Sequence, residues 1–186
     1  GKVSILGGLI DIDAQEGKFE IAGDVQYSDS QYLNYFSTQI YLNSNIENIN
    51  FMIESGSYTF SLSEDQKLGL DCKFSSPPSS DLISQSKEEI SVNMIGRKGS
   101  CKITIPNNKS ISLSANSAQI TLIKPEFNAK VNLKNGSVIL EPSDQVDYDY
   151  KFDVQNGQID DFQNSGTNSG YKMHFDLKNG SVKKAF

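Results

Sequence analysis

Three Asn-Gly dipeptides, Asn135-Gly136, Asn156-Gly157 and Asn179-Gly180, sit at nearly even spacing with alternating apolar residues on both sides. No other feature constrains the fold as tightly. A two-residue type I′ loop needs positive φ at both central positions, which Asn and Gly tolerate, and its twist suits the strands it joins. Read this way, each dipeptide is a hairpin that sets Leu133 opposite Val138, Val154 opposite Ile159 and Leu177 opposite Val182. Apolar pairs on one face are what a sheet with one buried side requires. The expectation is an antiparallel meander through the second half of the chain.

The flanking segments alternate with a period of two. Val146, Tyr148, Tyr150, Phe152 and Val154 are separated by Asp147, Asp149, Lys151 and Asp153. Tyr171, Met173, Phe175 and Leu177 repeat the pattern, and so do Phe127, Ala129, Val131 and Leu133. Such alternation marks half-buried strands. No window shows a comparable helical stripe, although residues 32–42 leave a short helical turn open. Towards the N-terminus, Ile10-Asp11-Ile12, Phe19-Glu20-Ile21, residues 51–53, 58–62, 68–74, 90–94, 101–105 and 111–115 read as further strands. About fifteen short strands result, in one all-β domain spanning residues 1–186. Residues 75–89, with Pro77-Pro78 among Ser, Asp, Gln, Lys and Glu, read as a mobile polar surface loop without a core face. Units near twenty residues also raise a β-solenoid, but chain-reversing Asn-Gly hairpins argue against parallel coils.

Charge and cysteine content narrow the chemistry. The net charge is −6, with a single arginine, Arg97, so the clustered cations that bind a nucleic-acid backbone are missing. No apolar run is long enough to span a bilayer, and a leader or anchor removed ahead of Gly1 is left open. Cys72 and Cys101 fall on apolar phases of strands and read as buried neighbours, and the sequence leaves open whether an oxidising compartment joins them in a disulfide. Two cysteines and one histidine make a transition-metal site an unfavoured reading, and no cofactor is expected.

The segments 10–27 and 34–42 then resemble the repeat of the OstA-like lipopolysaccharide-transport proteins, the periplasmic bridge family of LptA and LptC type. In that repeat a strand precedes a G-N/D-V turn, matched here by Gly23-Asp24-Val25. Residues 114–122 and 168–173 resemble further units of the same family. The resemblance implies an antiparallel meander folded into an elongated open jelly-roll (β-taco-like), in the periplasm or cell envelope. Its apolar trough would hold the acyl chains of a glycolipid such as lipopolysaccharide, each buried methylene contributing about 0.8 kcal/mol. Tyr148, Tyr150, Phe152, Tyr171, Met173 and Phe175 are the expected lipid contacts, set against the plainer reading of an ordinary packed core. Open terminal strands, the last being 171–177, would dock other envelope transport proteins by edge-strand pairing or join copies head to tail.

Two other classes are weighed. Asp147, Asp149 and Asp153 project from one strand face, a spacing compatible with acid/base work or calcium, but solvated surface aspartates are the simpler reading and no catalytic motif accompanies them. His174 reads as a surface residue, and the protein is not expected to be an enzyme. A cell-surface adhesin-like β domain, closed in its core and binding glycan or protein through loops such as 75–89, is the alternative to lipid transport.

Overall fold

The computed structural model describes residues 2–6, 9–13, 34–164 and 170–185, the first two stretches by their backbone only. All regular structure in them is strand. The strands are β1 (Lys2–Leu6), β2 (Leu9–Asp13), β3 (Asn34–Tyr41), β4 (Asn48–Leu62), β5 (Lys67–Phe74), β6 (Ile83–Gln85), β7 (Glu89–Ile105), β8 (Ser110–Ile123), β9 (Asn128–Glu141), β10 (Tyr148–Ile159) and β11 (Tyr171–Lys184). Eleven strands therefore replace the expected fifteen among the described residues, because segments read as separate hairpin arms are single long strands. Residues 32–42 resolve as strand β3 from Asn34 onward, and the repeat units read at 16–27 lie outside the described residues.

β1 and β2 pair with each other as an antiparallel hairpin. The remaining nine strands form one mixed sheet in the order β10-β11-β9-β8-β4-β7-β5-β3, with β6 on β7. From β10 through to β7 every pairing is parallel. Only β3, β5 and β6 join antiparallel. The predicted antiparallel meander, and the open jelly-roll built on it, are thus corrected for the second half of the chain. The rejected solenoid was closer to the pairing observed.

The long strands are bent. Phe51 and Phe60 of β4 touch edge to face with ring centroids 5.1 Å apart, whereas nine residues of straight strand would separate them by about 30 Å. β4, β7, β8, β9 and β11 each have a first arm, a corner and a second arm, and both arms turn alternate residues into one core. In β4 these are Ile49, Phe51 and Ile53, then Tyr58 and Phe60; in β9 they are Ala129, Val131 and Leu133, then Val138 and Leu140. The inward phase jumps by five residues across the corner, an odd step that would flip faces in a straight strand.

Asn-Gly does turn the chain, but out of the sheet rather than within it. A type I′ hairpin needs positive φ at Asn as well as Gly, and of the three dipeptides only Gly136 has it, at 133°. The two arms meet through side chains, while their backbone hydrogen bonds go to neighbouring coils. At the corners the parallel register aligns Gly99, Gly56, Ala118, Gly136, Gly180 and Gly157 across six strands. The backbones there come so close that a Cβ built on Gly136 would lie 1.9 Å from the Ala118 carbonyl oxygen. Beside this rank, Asn156 donates from Nδ2 to Asn179 Oδ1 at 3.0 Å and Asn179 donates to Asn135 Oδ1 at 3.0 Å. The three dipeptides are the rungs of one ladder.

At the far end of the arms, positive φ falls instead on Gln66, Asn108 and Lys124, in the loops that follow β4, β7 and β8. Two strands are intercalated: β4 lies between β7 and β8, and β11 between β9 and β10. The connection from β7 crosses β4, where Ser110 donates to the Glu47 carbonyl and Lys109 Nζ to the Ile46 carbonyl at 2.6 Å. On the antiparallel flank Cys72 and Cys101 are register partners joined by a disulfide. The segment 75–89 is more than a polar excursion. Leu82 is buried in the core, β6 pairs with β7, and Arg97 donates to Ser79 Oγ at 2.8 Å while lying over the Phe74 ring.

Candidate functional site

The six residues expected to hold lipid do come together, because β10 and β11 pair with Tyr148 beside Tyr171, Tyr150 beside Met173 and Phe152 beside Phe175. Their side chains fill space rather than line it. Tyr148 stacks on Tyr150 at 5.6 Å, Tyr150 on Phe152 at 5.9 Å and Phe152 on Phe175 at 5.6 Å, with Met173 and Phe175 wholly buried. Phe162, from the segment after β10, closes over Tyr150 and Phe152 at 5.2 and 5.4 Å. Burial, then the neighbouring Tyr148, pushes the Tyr150 hydroxyl up to about 12. Burial raises Tyr148 as well, and its hydroxyl donates to the Pro125 carbonyl at 3.0 Å and accepts from the Ser143 amide at 3.0 Å. Tyr171 donates to Asn108 Oδ1 at 3.1 Å. A shallow cleft of about 260 Å³ opens beside Tyr148, Tyr150 and Phe162.

The edge of the sheet is also displaced from the expected strand. β11 is internal, and β10 is the terminal strand at this end. Part of that edge is already occupied. Asn164 Oδ1 accepts from the Tyr150 amide at 2.7 Å and its Nδ2 donates to the Tyr150 carbonyl at 3.5 Å, so one side-chain amide stands in for a neighbouring strand.

The outward aspartates acquire a histidine that their sequence positions did not suggest. His174 Nε2 lies 2.8 Å from Asp153 Oδ2, and Lys151 lies 3.2 Å from the same oxygen. The His174 hydrogen bond, then that of Lys151, holds the Asp153 carboxyl below its ordinary value. Parallel register brings these residues together from β10 and β11, since Lys151 pairs with His174.

On the outer side of the corners lies a groove that sequence reading missed. It encloses about 370 Å³ and runs across β4, β8, β9 and β11, between Met52 and Ile95 on one side and Lys134, Lys178 and Asp176 on the other. Ser114, Asn116 and Asn132 lie between. Ile95 reaches it because the β4–β7 register shifts here: Ile53 pairs with Met94, but Ser55 pairs with Lys98. The extra residues form a bulge with Gly96 at φ 78°, and bulges re-aim side chains. Met52 and Ile95 are 39% and 44% exposed, unusual for large apolar side chains in a sheet this well packed. A second cleft of about 410 Å³ continues over the corner, lined by Ser55, Ser57, Lys98, Ser117, Gln119 and Ser137 among others. The available sequence signal was the identical hexapeptide Leu-Lys-Asn-Gly-Ser-Val at 133–138 and 177–182, whose two copies stack in register.

Fold and site together define a disulfide-linked, two-armed β-ladder of solenoid kind with two clefts on its outer corner. No family model and no curated protein matches the chain. Among solved structures, a candidate cell adhesion protein from Clostridium sporogenes ATCC 15579 is similar in fold, with a TM-score of 0.53 and 12% identity over 81% of this chain and 99% of that one. A candidate adhesin from Parabacteroides merdae ATCC 43184 aligns over 81% of each chain at 11% identity, but its TM-score of 0.29 carries no argument.

Proposed function

We propose that this chain is a cell-surface adhesive module, a rigid β-ladder that binds through its outer surface rather than through its interior. The observation that carries the reading is the filled core. Phe51, Phe60, Met173 and Phe175 are buried to 1% exposure or less, and the rings of opposing arms touch, so the space an acyl chain would need is taken by the protein's own side chains. The glycolipid carrier implied by the OstA-like resemblance would have to part these arms. Three further features support adhesion: the Cys72–Cys101 disulfide, which suits an oxidising exterior, the acidic net charge, and the fold shared with the clostridial candidate adhesion protein.

The test uses the whole chain coupled to fluorescent beads and applied to epithelial cells, with beads carrying albumin as the control. The adhesive reading expects saturable attachment that free protein competes away. In parallel, native mass spectrometry with added lipopolysaccharide expects no stoichiometric complex. Absence of attachment together with a one-to-one lipid complex would reverse the proposal in favour of the carrier.

A further inference from the structure

The outer corner groove holds two lysines that the fold sets against each other. Lys134 and Lys178 occupy equivalent places on β9 and β11, flanked by the Leu133–Leu177 and Asn135–Asn179 register pairs, so their Cα atoms are about 4.8 Å apart. Like charges directly side by side are destabilising. Neither ammonium has a carboxylate partner within ion-pair distance among the described residues. Asp176 lines the same side of the groove but lies beyond ion-pair distance of both ammonium groups, so an anion seated between the lysines would offset their repulsion.

We propose that this groove binds an acidic saccharide, its carboxylate or sulfate held by Lys134 and Lys178 and an apolar sugar face resting on Met52 and Ile95. The inference rests on the adhesive reading and names its ligand class. Ser114, Asn116 and Asn132 line the groove from β8 and β9, offering hydroxyl and amide groups that can both donate to and accept from sugar hydroxyls. Strand spacing repeats these groups across the sheet at close to the length of one pyranose unit. An acidic peptide fits less well. Peptides add to sheets through free backbone edges, whereas β4, β8, β9 and β11 each pair on both sides along this groove. The neighbouring cleft, with Ser55, Ser57, Ser117, Gln119, Ser137 and Lys98, continues the same chemistry for a second sugar unit.

Calorimetric titration of the whole protein with 3′-sialyllactose, a heparin-derived tetrasaccharide, lactose and polyglutamate tests the proposal, the first two separating carboxylate from sulfate. At least one acidic saccharide should bind, about tenfold more tightly than lactose, and binding should weaken as salt rises. The double variant Lys134→Gln/Lys178→Gln should lose that preference about tenfold, while Lys183→Gln, outside the groove, should not. Both variants sit on exposed positions; Lys183→Gln should melt like the parent and the double variant at the same temperature or slightly higher, since it relieves the lysine repulsion. Met52→Ala should weaken every saccharide alike. Equal acidic-sugar affinity in the double variant, no acidic-sugar binding at all, or equally tight polyglutamate would each overturn the proposal. Beads of the double variant that still attach to cells would sink this groove yet leave the adhesive reading intact. Parent beads that never attach would remove that reading instead.

Discussion

The sheet is two regions held by different means. From β4 through β8, β9 and β11 to β10, coils stack parallel and like meets like: Asn on Asn, glycine on glycine, Lys134 beside Lys178. From β7 through β5 to β3 the partners are antiparallel and unlike, and one covalent bond crosses the pair. In the first region the corner positions repeat small or identical residues from strand to strand, so a corner substitution meets a similarly tight place on both sides. In the second, chain reversal brings unrelated segments together, and the disulfide limits how far they separate when unfolded.

The corner offers the most severe way to break the stacked region. Gly136→Val places a branched side chain at φ 133° with its Cβ 1.9 Å from a backbone oxygen, and should cost about 3 kcal/mol or more. Urea denaturation would read this as a large drop in midpoint. Gly96→Ala is the sharpening control, since its φ of 78° strains a side chain but nothing lies within 4 Å; about 1 kcal/mol is expected there. Equal losses would show that backbone angle, not close stacking, governs the corners.

Removing the disulfide should come next in size. Cys72→Ala/Cys101→Ala opens a link across a sequence separation of 29, for which the chain-entropy model gives about 3.6 kcal/mol. Hydrogen exchange should accelerate first in β3 and β5 and least in β9 and β11. Uniform acceleration would mean the two regions unfold as one.

The Asn ladder separates inner from end rungs. Asn179→Ala removes bonds to both Asn156 and Asn135 and should cost about 1 to 3 kcal/mol. Asn156→Ala loses one rung at the edge strand and should cost about 1 kcal/mol. A reversed order in thermal melts would count against cohesion by side-chain stacking.

The smallest effect is electrostatic. The folded Asp153 carboxyl is held below its ordinary value of 3.8, first by His174 and then by Lys151. Its stabilising contribution is therefore present above that value and fades as pH falls through the lowered one. Carbon-detected NMR titration should place its midpoint below 3.8, and His174→Gln should move the midpoint upward. No movement would mean that the contact with His174 is not kept in solution.

Local pattern carried much of this fold. Alternation at 127–133, 146–154 and 171–177 gave strands where β9, β10 and β11 run, and Leu133, Val138, Leu177 and Val182 all reach the core as their phases require. The aromatic set on β10 and β11 was rightly grouped, since period-two positions of adjacent strands share a face. Its role as a lipid trough did not follow, because periodicity gives which side faces in and not whether anything else fills the space. The corner groove escaped notice for a related reason. Met52, Ile95, Lys134 and Lys178 lie on four different strands and meet only through register and a bulge.

The sequence by itself determined that the described chain is built of strands, which phase of most strands turns inward, and where the chain turns, because these depend on side chains two to five positions apart; Ile159, expected inward, stays 43% exposed on the edge strand. It did not determine which strands become neighbours. A type I′ hairpin and a solenoid corner both welcome Asn-Gly, and the choice between them rests on φ at Asn and on where distant backbone groups find their partners. Only the tertiary structure decided that β4 enters between β7 and β8, that β11 enters between β9 and β10, and that two copies of one hexapeptide lie side by side. Those outcomes depend on the hydrogen-bond and packing balance of the whole sheet, in which parallel strands 18 to 62 positions apart in register must satisfy one another at once.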